Sequence, residues 1–295
     1  MVSSSFLSNT NFKEIASMGN FHVLEHEKDL SVSKLNAVNQ YFASKMNVRK
    51  RQLLLELTGN NTYILQRGAM QWMSGNVTTD SNVKGVGDFL GKMVSSAVTN
   101  ESAVKPIYRG TGQIMLEPTY RHILLVDVSK WGSIVLDDGL FLACDGTLLQ
   151  KTVARRNVSS AVLGGEGFFN LSLTGSGIAA LESRVPYEEL IEVILDNDVM
   201  KIDGNMAIAW SGSLQFTVEK STKSLLGSAV SGEGFVNVYR GTGRILLAPT
   251  ASDYANPAAS NSNNGPSQSK TSSTGKMETA GKALDVISDV LDMFS

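Results

Sequence analysis

The residues able to do chemistry are few. The chain holds three histidines, His22, His26 and His122, and one cysteine, Cys144. His22 and His26 stand four apart, so on a helix they would share a face. Val23-Leu24 lies between them, and no further His or Cys is near enough in sequence to complete a metal shell. His122 follows Tyr120-Arg121 at the head of an apolar stretch, which predicts an exposed strand start. Cys144 lies in Leu142-Ala143-Cys144-Asp145. Counted from the first Gly of its hairpin, it matches Met73 of an earlier hairpin, and a position that accepts Met is a packing position before it is a nucleophile.

Two further patterns invite a site. Gly110-Thr111-Gly112 and Gly241-Thr242-Gly243 resemble pieces of a phosphate loop. Such a loop needs a third Gly and a helix whose N-terminus faces the phosphate. Here Gln113-Ile114-Met115 and Arg244-Ile245-Leu246 come next, which read as strand, so each Gly is expected to serve a positive φ or a tight strand crossing. Glu101, Glu166 and Glu233 occupy matching places, and paired carboxylates can do acid/base work. One per repeat, spread along the chain, they are read instead as partners of nearby backbone N–H groups. No Gly-x-Ser-x-Gly elbow, His-Glu-x-x-His or Walker loop occurs. No catalytic, cofactor-binding or metal-ligating residue is therefore assigned, and the chain is expected not to be an enzyme.

The elements that carry these residues repeat. The second Gly of the Gly-x-Gly pieces falls at 112, 177 and 243, in steps of 65 and 66. Gly165-Glu166-Gly167-Phe168 matches Gly232-Glu233-Gly234-Phe235, with Asn100-Glu101-Ser102-Ala103 as a worn copy. Gly-to-Gly hairpins run from Gly68 to Gly75, Gly139 to Gly146 and Gly204 to Gly212. Each unit is led by an apolar strand, Leu53–Leu57, Ile123–Val128 or Leu190–Leu195. A turn follows at Gly59-Asn60-Asn61, Lys130-Trp131-Gly132 or Asp196-Asn197-Asp198. The units are placed at 48–119, 120–184 and 185–250, with an insertion in the first at Val83–Ser95. Ile114-Met115-Leu116 and Ile245-Leu246-Leu247 are expected to be strands buried on both faces. The fold class is mainly β, three tandem β repeat units with short helices at the termini.

The two ends differ from this core. Residues 1–47 form an N-terminal extension, in which Leu35, Val38, Phe42 and Met46 have helical spacing. Residues 251–276 are a flexible Ser/Asn-rich linker. Residues 277–295 are an amphipathic acidic helix, with Leu284, Ile287, Val290, Leu291 and Phe294 on the apolar face. That face is a docking surface for a protein partner, since membrane-surface helices carry Lys or Arg where this one carries Asp285, Asp289 and Asp292. A net charge of −2 gives nucleic acid no support. Arg49-Lys50-Arg51 is read as a solvated strand start. One cysteine allows no internal disulfide, no leader pattern opens the chain and no run approaches the ~18 apolar residues of a membrane span. A cytoplasmic protein is expected.

The pattern resembles the mitochondrial-biogenesis family first described through altered inheritance of mitochondria, in a bacterial-type member. The match is carried by Gly68-Ala69-Met70 with Met73, Phe141-Leu142-Ala143 with Asp145, Gly165-Glu166-Gly167-Phe168-Phe169 and Gly175 with Gly177. Ile202-Asp203, Gly232-Glu233-Gly234 and Arg240-Gly241 with Gly243 complete it. Asp203-Gly204-Asn205 departs from the family's Asp-x-Gly-His wording, so a role tied to that His is absent. The resemblance implies β units like those of the tryptophan RNA-binding attenuator protein (TRAP), of β-sandwich or double-stranded β-helix type. It also implies a ring-like homo-oligomer, a trimer of three-unit chains, and carries over no catalytic residue. The expected function is a non-enzymatic scaffold or binding protein that assembles through its β units and recruits a partner by its C-terminal helix. The alternative is a small-ligand or nucleic-acid binder using grooves between units.

Overall fold

The structure is a computed structural model that describes residues 9–81, 105–154, 169–203, 206–220 and 235–250. Among these, fifteen strands and one short α-helix are found, arranged in two sheets. The chain is mainly β, as its turn-bounded apolar runs require.

The N-terminal extension adds a hairpin that composition did not reveal. β1 (Phe12–Met18) and β2 (Phe21–His26) pair antiparallel across the two-residue turn Gly19-Asn20, with Met18 opposite Phe21 and Gly19 at φ +55°. A glycine at positive φ is what a two-residue hairpin turn demands. A 3-10 turn at Lys34–Asn36 then leads into α1 (Ala37–Lys45). The helix lies where the spacing predicts it, but it buries no residue. Leu35, Val38, Phe42 and Met46 are all exposed.

Three consecutive strands come next. β3 (Arg51–Leu65), β4 (Met70–Ser81) and β5 (Pro106–Leu116) are long, with β5 pairing both of the others. The middle segment is cut into shorter pieces: β6 (His122–Asp127), β7 (Ser133–Leu136), β8 (Phe141–Asp145), β9 (Leu149–Ala154), β10 (Phe169–Thr174) and β11 (Ile178–Ser183). The last segment has β12 (Ile191–Asp203), β13 (Ala207–Ser211), β14 (Gln215–Lys220) and β15 (Phe235–Leu247). β15 pairs β12, β13 and β14.

The middle segment belongs to both sheets. β6, β8 and β11 join β1 to β5 in the eight-stranded sheet, while β7, β9 and β10 join β12 to β15 in the seven-stranded sheet. The break between β6 and β7 is a 3-10 turn at Val128–Trp131, capped by the Asp127 carboxylate accepting from the Ser129 N–H and closed by Gly132 at φ +69°. A turn is expected at the matching places 59–61 and 196–198, yet there the strand runs on. It absorbs the extra residues as irregularities between Thr58 and Thr62 in β3, and between Leu195 and Asp198 in β12.

Apolar clusters fill each part. Leu53, Leu55, Ile114 and Leu116 pack with Phe21 and Val23 of the hairpin. Val128, Ile134, Cys144, Leu173 and Leu181 form a second cluster under the middle segment. Trp210, Tyr239, Ile245 and Leu247 form a third, with Phe216 against them. Ile114-Met115-Leu116 and Ile245-Leu246-Leu247 are buried throughout, as their unbroken apolar runs predict.

Candidate functional site

The Gly-x-Gly pieces are structural. Gly110 and Gly112 lie inside β5 and Gly241 and Gly243 inside β15, each followed by strand, while Gly175-Ser176-Gly177 turns between β10 and β11. Gly110, Gly175 and Gly241 hold φ of +123°, +123° and +116°. The second Gly of each set is crowded: a Cβ at Gly112 would strike the Ser74 carbonyl, at Gly177 it would lie 3.0 Å from Asp145 Cβ, and at Gly243 2.8 Å from Ser211 Cβ. Among the described residues each set lies in or between strands and opens no helix, so these glycines serve strand packing.

The histidines and the cysteine fall into structural places too. His22 and His26 lie on strand β2, not on a helix. His22 Nδ1 is 3.2 Å from Glu14 Oε2, and His26 Nε2 is 2.8 Å from Gln52 Oε1 with its ring against Phe12. His122 is half-buried and not exposed; burial and the Arg51 charge lower its pKa. Cys144 is fully buried, and desolvation pushes its thiol up to about 12. A thiol held there forms no thiolate at neutral pH. Among the described residues, no group of three His, Cys, Asp or Glu could hold a metal ion.

The basic cluster is not a solvated strand start. Arg51 is almost fully buried; its Nη2 lies 2.8 Å from Glu25 Oε2 and donates to the Asn47 carbonyl. Arg49 pairs with Glu25 at 2.8 Å and donates its Nε–H to the Ser44 carbonyl. Lys50 pairs with Asp29 at 2.8 Å, and the Tyr120 hydroxyl donates to the same carboxylate. The Lys50 ammonium holds the Asp29 carboxyl down to about 2, against desolvation, with Ser31 and Tyr120 helping. Runs of like charge normally meet solvent; these three residues instead tie β2 and the segment after it to the start of β3. The acids that receive them stand 21 to 26 positions earlier, too far for a local pattern to reveal.

Two of the clefts among the described residues bear on a site. One, of about 300 Å³, lies between α1 and the 27–32 segment; the other, of about 400 Å³, lies where Ser74-Gly75 meets Thr111-Gly112 beside Glu56. The second has no cation in its lining, which disfavours an anionic ligand.

What stands out instead is two strand edges. β8 pairs β3 in addition to β11, and β13 pairs β7 in addition to β15. Among the described residues β4, at the matching place, pairs β5 alone, and β12 pairs β15 alone. Met73 on β4 is 43% exposed, whereas Cys144 and Trp210, each two residues before the equivalent glycine, are 0% and 4% exposed. On β12, Ile191, Ile194 and Val199 are exposed. Unpaired strand edges with apolar side chains are sites for adding another strand.

Glu101, Glu166, Glu233, the Val83–Ser95 insertion and the terminal residues Leu284, Ile287, Val290, Leu291 and Phe294 lie outside the described residues. No helix among those described is long and apolar enough to cross a membrane.

In class this is a mainly β protein with two antiparallel sheets and one short α-helix among the described residues. Residues 45–250 match the family described as Mitochondrial biogenesis AIM24, and the chain belongs to that family. An uncharacterized protein of Streptococcus pyogenes serotype M6 is 30% identical over 201 residues, covering 65% of this chain and 79% of that protein. The X-ray crystal structure of a Streptococcus pyogenes protein is similar at a TM-score of 0.50 and 28% identity, covering 68% of this chain and 88% of that one. The family resemblance read from the glycine-bounded blocks is thus met over nearly the residues expected.

Proposed function

We propose that the chain is a non-enzymatic, homo-oligomeric β scaffold made of three tandem units, near 48–119, 120–184 and 185–250. The observation that carries this reading is the recurrence of one backbone plan. Met73 faces Ile114, Cys144 faces Ala179 and Trp210 faces Ile245. The residue two positions before each is skipped, at Gln71, Leu142 and Ile208, where the pairing shifts by one. In each segment the first strand pairs the last, and the last pairs the hairpin strand between them. A bulge is a specific local device, and its return four residues before each of Gly75, Gly146 and Gly212 supports descent from one unit.

A repeat that joins to the next by strand edges leaves an edge unfilled at either end of the run. Assembly of copies fills those edges, and a ring of three chains with a TRAP-like arrangement is the form the family resemblance favours. The scaffold works in the cytoplasm and recruits a protein partner through residues 277–295. Light scattering during size exclusion at micromolar concentration tests the central claim. A mass at a small multiple of 31.7 kDa, three for the ring, is expected. A clean monomer overturns it.

A further inference from the structure

The open edges of β4 and β12 have the shapes of the two halves of a junction that the chain already makes twice. In the first junction Tyr63, Ile64 and Leu65 of β3 face Asp145, Cys144 and Ala143 of β8. The Gly146 N–H donates to the Thr62 carbonyl at 2.7 Å and the Gln66 N–H to the Leu142 carbonyl at 2.8 Å. In the second, Ile134, Val135 and Leu136 of β7 face Ser211, Trp210 and Ala209 of β13. There the Gly212 N–H donates to the Ser133 carbonyl and the Asp137 N–H to the Ile208 carbonyl, both at 2.9 Å.

The glycines set the register of a third junction. Thr62 faces Arg109, Ser133 faces Thr174 and Val199 faces Arg240, each three residues before the second Gly of its Gly-x-Gly. Thr62, Ser133 and Val199 are therefore equivalent, and so are Gly146, Gly212 and Gly75. A Cβ added at Gly146 would meet the Thr62 side chain, and at Gly212 the Ser133 side chain, both across the junction. At Gly75 the nearest atoms are those of Thr111 and Gly112 on its sheet partner β5, and among the described residues no strand pairs the other edge of β4.

We propose that Val199–Asp203 of β12 in one copy adds antiparallel to Gln71–Gly75 of β4 in a second copy of this chain. Met200 then faces Ser74, Lys201 faces Met73, the Gly75 N–H donates to the Val199 carbonyl, and the Asp203 N–H donates to the Gln71 carbonyl. This rests on the scaffold reading above and gives it a partner and a register. The partner is a second copy because the two edges are complementary halves of one junction and each chain carries one of each. Such a head-to-tail contact repeats until it closes into a ring.

Disulfide trapping tests the register. Met73→Cys and Lys201→Cys chains, carrying different tags, are co-expressed, purified as assembled and oxidised. A hydrogen-bonded antiparallel pair has Cα atoms about 5.5 Å apart, within the ~4.4–6.8 Å span of a disulfide. Ser74→Cys with Met200→Cys repeats the test at a closer, non-hydrogen-bonded pair, and Thr79→Cys with Lys201→Cys is the out-of-register control. The native Cys144, buried with its thiol up to about 12, stays silent. Linked hetero-tagged dimers are expected in either matched pair at about tenfold or more above the control, because pairing raises the local thiol concentration well above that in solution. An oligomer by light scattering with no matched linkage above the control overturns this interface and leaves the scaffold. A clean monomer overturns both.

Discussion

At the scale of single residues, the described cysteine and histidines rest in packed or hydrogen-bonded places. Cys144 is sealed in the middle cluster and the histidines lean on neighbouring side chains. The most consequential charged group is Asp29, which receives Lys50, Ser31 and Tyr120. Its folded pKa, about 2, lies below the ordinary 3.8. The carboxylate therefore stabilises the fold fully above pH 3.8, and that contribution fades as the pH falls from 3.8 through about 2. Asp29→Asn is expected to cost about 1 kcal/mol at pH 7, the upper range for a partly exposed ion pair. Urea titrations of both proteins across this range should show the difference shrinking toward pH 2. A difference that stays constant would mean that the charge of Asp29 does not matter.

At the scale of elements, much was legible and the failures have physical causes. The buried strands at 114–116 and 245–247 could be read because unbroken apolar runs have few other places to go. The Gly-x-Gly pieces at 110–112 and 241–243 could be read as strand crossings because Ile114-Met115-Leu116 and Ile245-Leu246-Leu247, just beyond them, form strand. The hairpin β1–β2 was missed although Gly19-Asn20 marks its turn, since Glu14, Ser17 and Glu25 dilute the alternation around it. The role of Arg51 was missed because its partner Glu25 is brought to it by sheet pairing and not by local spacing. Within the elements, glycines differ in what they tolerate. Gly110 sits at φ +123° with the Asn76 carbonyl where a Cβ would go, and backbone cannot rotate aside. Gly68 sits at φ +77° with nothing within 4 Å. Gly110→Ala is expected to cost about 3 kcal/mol, at the high end for strain at one residue, and Gly68→Ala about 1 kcal/mol. Equal losses in chemical denaturation would contradict the crowding at Gly110.

At the scale of the whole molecule, the described residues leave the outer edges of β4 and β12 without a paired strand. If assembly fills those edges, stability must depend on protein concentration, because copies that bind only the folded form shift the equilibrium by mass action. A hundredfold rise in free concentration is worth about 2.7 kcal/mol per binding edge. For a chain of this size that is a rise of about 5 °C in the thermal midpoint, measurable by calorimetry between micromolar and hundred-micromolar samples. Lys201→Pro separates assembly from folding. The Gln66 N–H, equivalent to that of Asp203, donates across the first junction, and outward N–H groups alternate along a strand, so the Lys201 N–H is expected to face the open edge and not β15. Proline there removes a donor from the edge while sparing the ladder to β15, the position at which edge strands accept proline. The variant should keep the wild-type β circular dichroism, lose the concentration dependence and elute as a monomer. Retained concentration dependence in a folded Lys201→Pro chain would place the contact between copies elsewhere than on β12.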